Sequence, residues 1–313
     1  MIEGLLALGV LVIVPLGVRL HPDLPGRWVG TVLAAGVVAV AGLFVEQGPV
    51  AAALAAVWFL FAAAAAVVSL ARWAVSGSRS FKLQPDPHTF PAEPRCVGPD
   101  RSNRSRTHTP SGASVRRGGA VLELAWVAAP AYLAFGALWL VADRAAVEPA
   151  GIVAPFVLLT AVHFHYAGFV ASLLAALVRA RVGASAPRAT AAAVVAVVGA
   201  PPVIAAGFAV LGVLQVVGAV VLTAGLFGLA WLTLRHVVPT AEDRAARVLL
   251  VVSSLAVLVP MLLAVQWAIG WNYGTPALSI PVMARTHGVV NAVGFSLCGV
   301  LGWLRLGMAR GAS

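Results

Sequence analysis

The sequence predicts an all-α, polytopic integral membrane protein, a bundle of about nine transmembrane helices. Three observations support this fold class. Of the 313 residues, 61% are hydrophobic and only 10% are charged, the mean hydropathy is +0.96, and long apolar runs recur along the chain. Soluble domains are typically about 45–50% apolar. We therefore expect this chain to lie in a lipid bilayer.

Nine apolar runs are long enough to be transmembrane helices. A helix rises about 1.5 Å per residue and has to cross roughly 30 Å of hydrocarbon. The first run is flanked by Glu3 rather than by a basic segment, so we expect a retained span and not a signal peptide. The predicted spans are residues 3–18, 28–45, 50–74, 119–142, 150–178, 189–210, 212–234, 246–269 and 281–304.

The basic residues predict the orientation of the bundle. Lys and Arg are retained on the cytoplasmic side of a membrane. With nine spans and an external N-terminus, one face collects nearly all of them, from Arg19 and Arg27 to Arg305 and Arg310. We therefore expect the N-terminus outside and the C-terminus in the cytoplasm. The net charge of +10 then reflects arginines beside anionic lipid, and nucleic acid is not an expected partner.

One compositional break divides the chain. Residues 1–75 hold the first three predicted helices, 119–304 hold helices four to nine, and 305–313 form a short cytoplasmic tail. Between them, residues 76–118 lack apolar periodicity and are rich in Pro, Ser, Arg and Gly, which is typical of a disordered segment. We expect a basic cytoplasmic loop there. A solvated linker, an anionic-lipid contact and a partner-binding segment all stay open as its role.

The fifth predicted span carries "LLTAVHFHYAGFV", residues 158–170. Ionisable groups are costly inside a membrane, and they frequently mark functional sites there. His163 and Tyr166 share a helix face with Thr160, whereas His165 points about 200° away from His163 at roughly 100° per residue. We therefore expect His163 and Tyr166 to face one environment and His165 another.

The ninth span, "IPVMARTHGVVNAVGFSLCGVLGW", places His287 and Asn291 four residues apart and therefore on one face. Arg285 lies near the interface. The preceding loop, "VQWAIGWNYGTP", is polar and aromatic without charge. Its tryptophans are also expected as a simple interfacial belt. This loop supplies Gln266, Trp271 and Asn272.

We predict that these side chains form a substrate-binding site between the midplane and the outer leaflet. The alternative is that each buried histidine merely hydrogen-bonds between helices. Prolines near the middle of spans four, six and eight (Pro130, Pro201, Pro202 and Pro260) each free a carbonyl that needs a partner, and such helices can line cavities. The candidate site residues are His163, Tyr166, His287, Asn291, Arg285, Thr160, His165, Gln266, Trp271 and Asn272.

The segments "AVHFHYAGF" and "THGVVNAVGF" resemble the paired histidine motifs of the YndJ-like family of bacterial membrane proteins. The resemblance covers residues 119–304. It implies a multi-pass protein of the bacterial plasma membrane, in a family whose members are often labelled transporters.

A weaker resemblance is to haem–copper oxidases, in which an H-F-H-Y run on one helix ligates two haems. It makes His163 and His165 candidate haem ligands, with His287 as the facing ligand. The copper-ligating histidines of those enzymes have no counterpart here, so respiratory oxygen chemistry is not expected.

Three classes of function stay open. The first prediction is a transporter-like protein that binds or moves a small uncharged or anionic molecule, because no Asp or Glu lies deep in a predicted span to couple cations. The second is an intramembrane enzyme that uses His163 or His287 as acid or base on a lipophilic substrate, with Asn291, Tyr166 or Arg285 polarising an oxygen. The third is a bis-histidine haem or metal protein. We expect no cofactor under the first prediction.

Overall fold

Nine long helices make up most of the described chain. The computed structural model describes the backbone of residues 1–82 and 112–311, and those residues contain no strand. The predicted all-α class is therefore confirmed. The helices are α1 (Ile2–Leu20), α2 (Trp28–Phe44), α3 (Pro49–Lys82), α4 (Gly112–Arg144), α5 (Phe156–Val182), α6 (Pro187–Ala209), α7 (Gly212–Thr240), α8 (Arg244–Tyr273) and α9 (Ile280–Gly307).

Eight of these helices are long and apolar enough to cross a membrane. The exception is α2, which is apolar but spans only residues 28–44. At about 1.5 Å per residue it rises about 26 Å, somewhat less than the roughly 30 Å of hydrocarbon. The multi-pass bundle is thus confirmed, and the second predicted span is a shorter helix than the other eight.

Contacts between helix ends show that the first four helices alternate in direction. At one end, here called the N-terminal end, Gly48 donates its backbone N–H to the carbonyl of Arg144 at 2.7 Å, so the start of α3 meets the end of α4. At the other end, here called the basic end, the loop after α1 meets the last part of α3 through Asp23 and Arg72, 3.8 Å apart. The orientation of these two ends in the membrane stays a prediction.

The outer surface of the bundle is apolar, as contact with lipid requires. Val37, Leu60, Val67 and Val259 are each more than half exposed, at 59%, 67%, 64% and 66%. The interior packs closely through small residues. A Cβ at Gly168 would lie 2.6 Å from the Cβ of Tyr132, so only glycine lets α4 and α5 approach this far.

Two mid-helix prolines free carbonyls that other helices satisfy. Pro130 removes the amide that would otherwise bond to the carbonyl of Trp126, and Nε2 of His21 donates to that carbonyl at 2.8 Å. Pro202 removes the amide that would otherwise bond to the carbonyl of Val198, and the hydroxyl of Tyr132 donates to that carbonyl. Both bonds agree with the expectation that freed carbonyls need partners, and they join α4 to its neighbours.

The predicted basic loop, residues 76–118, lies mostly outside the described residues. The backbone of α3 continues to Lys82 and that of α4 begins at Gly112, so helix extends into both edges of the predicted loop. The disorder predicted for the rest of the segment falls on residues that the structure does not describe.

Candidate functional site

A cavity of about 250 Å³ lies inside the bundle, walled by α5, α6, α7, α8 and α9, with Leu5 of α1 closing one side. Its lining is mostly apolar, and none of the described residues that line it carries a formal charge. The cavity extends from the first turn of α5 at the N-terminal end to the middle of α9. The polar side chains that line it are Thr160, His163, Tyr166, Gln215, His287, Asn291 and Ser296.

The two motif histidines face each other across this cavity. The ring centroids of His163 on α5 and His287 on α9 are 6.3 Å apart, with 27° between the ring planes. His163 is an exposed residue in the interior of the bundle, because its side chain borders the cavity. The structure thus brings together His163, Tyr166, His287, Asn291 and Thr160, and their role in binding stays a prediction.

Both motif segments depart from regular α-helix. A π-helical turn spans Phe164–Val170 in α5, and two more span Ala284–Gly288 and Val290–Leu297 in α9. Such turns are rare and often occur at functional sites, since the wider turn changes which side chains share a face. The α-helical spacing assumed from the sequence did not reveal them.

Each of the two histidines donates a proton to a backbone carbonyl. Nδ1 of His163 lies 2.7 Å from the carbonyl oxygen of Leu159, and Nδ1 of His287 lies 2.8 Å from that of Pro260. A carbonyl oxygen can only accept, so the proton of each neutral ring is on Nδ1 and Nε2 is left as an acceptor. Within the described residues, neither Nε2 has a hydrogen-bond partner.

The two hydroxyls beside the histidines are also donors to the backbone. Thr160 donates to the carbonyl of Phe156 at 2.8 Å, within α5. Tyr166 donates to the carbonyl of Leu5 at 2.7 Å and so ties α5 to α1. Both hydroxyls therefore have a backbone partner, and each oxygen has only lone pairs left for a further hydrogen bond.

Two further polar groups border the cavity without a partner. Nδ2 of Asn291 is 3.3 Å from Nδ1 of His287, while its Oδ1 is buried with no hydrogen-bond partner in the described part of the chain. The hydroxyl of Ser296 is also buried without a hydrogen-bond partner among the described residues. An unpaired buried polar atom costs about 1–3 kcal/mol. Neither atom has accessible surface, so a bound molecule would reach it only if neighbouring side chains moved.

His165 is not among the residues that line the cavity. It is only 1% exposed. Its Nδ1 donates to the carbonyl of Ala161 at 2.7 Å, and its Nε2 accepts from the indole N–H of Trp58 on α3 at 2.9 Å. Both ring nitrogens are therefore occupied by protein partners, and the side chain holds α3 against α5.

Arg285 and Gln266 do not line the cavity either. Arg285 is exposed on α9. Gln266 donates to the backbone carbonyl of Pro276 and so fastens the loop between α8 and α9. A role for these two residues in ligand binding stays a prediction.

Trp271 and Asn272 pack against residues that line the cavity near its N-terminal end. Trp271 stacks on Trp267, with centroids 5.3 Å apart, and contacts Phe156 edge-on at 5.2 Å. Asn272 donates to Oε1 of Gln215 at 2.8 Å. Trp267, Phe156 and Gln215 line the cavity, so the two predicted residues contact its wall and not its interior.

A smaller cavity of about 20 Å³ lies beyond Phe295, towards the basic end. Phe295 lines both cavities and is 8% exposed. The smaller cavity is lined by the hydroxyl-bearing residues Ser253, Ser254 and Thr233. These three residues belong to none of the sequence motifs described above, and the signal that could have found them is the adjacent pair of serines within an apolar span.

The fold and the cavity define a polytopic helical membrane protein with a histidine-lined cavity inside the bundle. The sequence profile of the YndJ-like protein family matches residues 105–295. The chain therefore belongs to the YndJ-like family. The matched range contains both histidine segments and most of the residues that line the cavity. Comparison with curated proteins and with solved structures found no match.

Proposed function

We propose that the protein binds a small uncharged molecule in the histidine-lined cavity and moves it through the bundle, as a transporter of the bacterial plasma membrane. The observation that carries this proposal is the cavity itself, in which His163 and His287 lie 6.3 Å apart with unpartnered Nε2 atoms. Ligand sites are usually concave, largely apolar and supplied with a few converging polar groups.

The lining favours an uncharged molecule over an anion, the two ligand kinds that the sequence leaves open. A buried anion needs a cation or several hydrogen-bond donors. No Lys or Arg is among the described residues that line the cavity, and Arg285 is exposed outside it. Carboxylates are equally absent from that lining, which disfavours a bound cation.

The two cavities together support movement rather than binding alone. The larger cavity starts near Phe156 at the N-terminal end, and the smaller one continues beyond Phe295 among hydroxyl groups. Phe295 is a lining residue of both cavities, and both are bordered by α5, α7, α8 and α9. A shift of this side chain would connect them, as expected for a path with alternating access.

An intramembrane enzyme is the second candidate, and a specific observation favours it. The Nε2 of each cavity histidine is an acceptor, as a general base requires. A haem centre is less well supported, because His165 uses both nitrogens for Ala161 and Trp58. The visible spectrum of the purified protein tests this third alternative, since haem gives a Soret band.

Cysteine accessibility separates a transport path from a closed pocket without knowledge of the ligand. In a background with Cys96→Ser and Cys298→Ser, single cysteines replace Thr160 in the larger cavity and Ser253 in the smaller one. Sealed vesicles of known orientation are then treated with a membrane-impermeant maleimide on either side. A cysteine at the lipid-facing Val195, which is 53% exposed, is the control and should stay unreactive.

A transporter predicts that Thr160→Cys reacts from the side of the N-terminal end and Ser253→Cys from the side of the basic end. A ligand that closes one access should change the two rates in opposite directions. Permanent lack of reaction at Ser253→Cys, with normal reaction at Thr160→Cys, would contradict transport. The enzyme or a binding role would then be preferred.

A further inference from the structure

We infer that the ligand of the histidine-lined cavity is an uncharged molecule with an apolar body and a hydrogen-bond-donating head, a small alcohol or an aromatic amine. This inference rests on the proposed binding function and names the chemistry of the bound molecule. It follows from where the protons of the cavity's polar groups are directed.

The middle of the cavity presents acceptors. Four neighbouring polar side chains, His163, His287, Thr160 and Tyr166, each direct a proton to a backbone carbonyl at 2.7–2.8 Å. What remains on each is a lone pair. The amide of Asn291 can act as donor or acceptor, and the Ser296 hydroxyl, which could donate, has no accessible surface in the cavity. A ligand head that only accepts hydrogen bonds would meet unpaired lone pairs at the two imidazoles.

The backbone holds this arrangement in place. In the other tautomer of either imidazole the proton would be on Nε2 instead of Nδ1. Because a carbonyl oxygen cannot donate, the hydrogen bond at Nδ1 would be lost, and the lone pair of Nδ1 would face that of the carbonyl oxygen. The unpaired group would cost about 1–3 kcal/mol. The acceptor character of the two Nε2 atoms is therefore a property of the fold and does not depend on the ligand.

The rest of the lining determines the body of the ligand. Around the polar band the wall consists of aliphatic and aromatic side chains, among them Phe156, Phe208, Trp267, Leu222 and Met261. Burial of apolar surface favours binding by roughly 25 cal/mol per Å². A polyol or a sugar would leave hydroxyls unpaired against this wall, whereas a ring or short alkyl chain with one donor head would not.

A matched series of aromatic probes tests the inference on the full-length protein in lipid nanodiscs. Benzyl alcohol and aniline carry an uncharged donor, anisole is the isomer of benzyl alcohol that only accepts, and benzoate is the anion. Isothermal titration, with titrations into empty nanodiscs subtracted, measures each affinity. We expect the alcohol, the amine or both to bind about tenfold more tightly than anisole, as one hydrogen bond allows.

Substitution at the histidines shows whether the preference arises in the cavity. His163→Leu and His287→Leu should each weaken the donor probes by about tenfold and leave anisole nearly unchanged. Val195→Leu on the lipid face is the control and should change nothing.

Two results would overturn the inference. Anisole or benzoate binding as tightly as the donors would show a cavity without the acceptor preference, while the binding function would stand. No binding of any probe would overturn both the ligand class and the binding role. The cysteine-accessibility experiment needs no ligand, so it tests the transport path independently of the ligand class.

Discussion

The hydrogen bond between Trp58 and His165 should be a measurable part of the stability of the bundle. Trp58 is 0% exposed and His165 is 1% exposed, and the indole N–H donates to Nε2 at 2.9 Å. Replacing either partner alone leaves a buried polar group unpaired. We therefore expect His165→Leu to reduce the free energy of unfolding by about 1–3 kcal/mol.

A double-mutant cycle isolates the bond from the change in packing. Trp58→Phe removes the donor, and the double variant with His165→Leu removes both partners. Interhelical hydrogen bonds in membranes average about 0.6 kcal/mol and reach about 1.7. We expect a coupling energy in this range, so the double variant should lose less than the sum of the single losses. Unfolding in mixed micelles, followed by circular dichroism, provides the free energies.

The matched control is His163→Leu, which changes a histidine two residues away on the same helix. His163 borders the cavity and its ring bond is made within α5, to Leu159. This variant should lose little stability while its ligand binding changes. A coupling energy near zero, or an equal loss of stability from His163→Leu and His165→Leu, would refute the division between a structural and a cavity histidine.

Three further predictions concern packing, the path and pH. Gly136→Ala would place a methyl carbon 2.9 Å from the imidazole of His165 and should reduce the free energy of unfolding by about 1–3 kcal/mol. The control is Gly30→Ala, whose methyl group meets nothing within 4 Å and which should not destabilise the protein. Equal effects of the two variants would contradict the close packing at Gly136. Phe295→Ala should raise the maleimide reactivity of Ser253→Cys several-fold by joining the two cavities, and an unchanged rate would show that Phe295 does not separate them. Burial holds the pKa of His21 below its ordinary value of 6.5. The unfolded chain therefore binds a proton that the folded protein excludes, and the free energy of unfolding should fall as pH drops below about 6.5. His21→Gln should flatten this pH dependence between pH 7 and pH 5, and an unchanged dependence would assign it to other groups.

The helical bundle could be predicted because hydrophobic runs report directly on the solvent around a helix. The faces of His287 and Asn291 were also predictable, since residues four apart lie on one side of a helix. The same reasoning separated His163 from His165. In these cases the information is local to one helix, and the structure places the residues as the spacing indicates.

The partners of polar side chains could not be predicted, because they depend on how helices pack. Asn272 bonds to Gln215 on another helix, and Tyr166 bonds to the backbone of α1. Nothing in the order of residues along one helix indicates such contacts. The π-helical turns are a second limit, since they alter the angular spacing on which the sequence argument depends.

Nitrogen NMR of the protein labelled with ¹⁵N in its seven histidines measures directly which ring nitrogens carry protons. The signals of His163, His165 and His287 can be assigned by their loss in the corresponding leucine variants. We expect Nδ1 to be protonated and Nε2 to be unprotonated in all three rings. On addition of benzyl alcohol, the Nε2 signals of His163 and His287 should shift together while that of His165 stays in place. A protonated Nε2 on either cavity histidine, or a response of only one of the two, would contradict the claim that both rings face one ligand as acceptors.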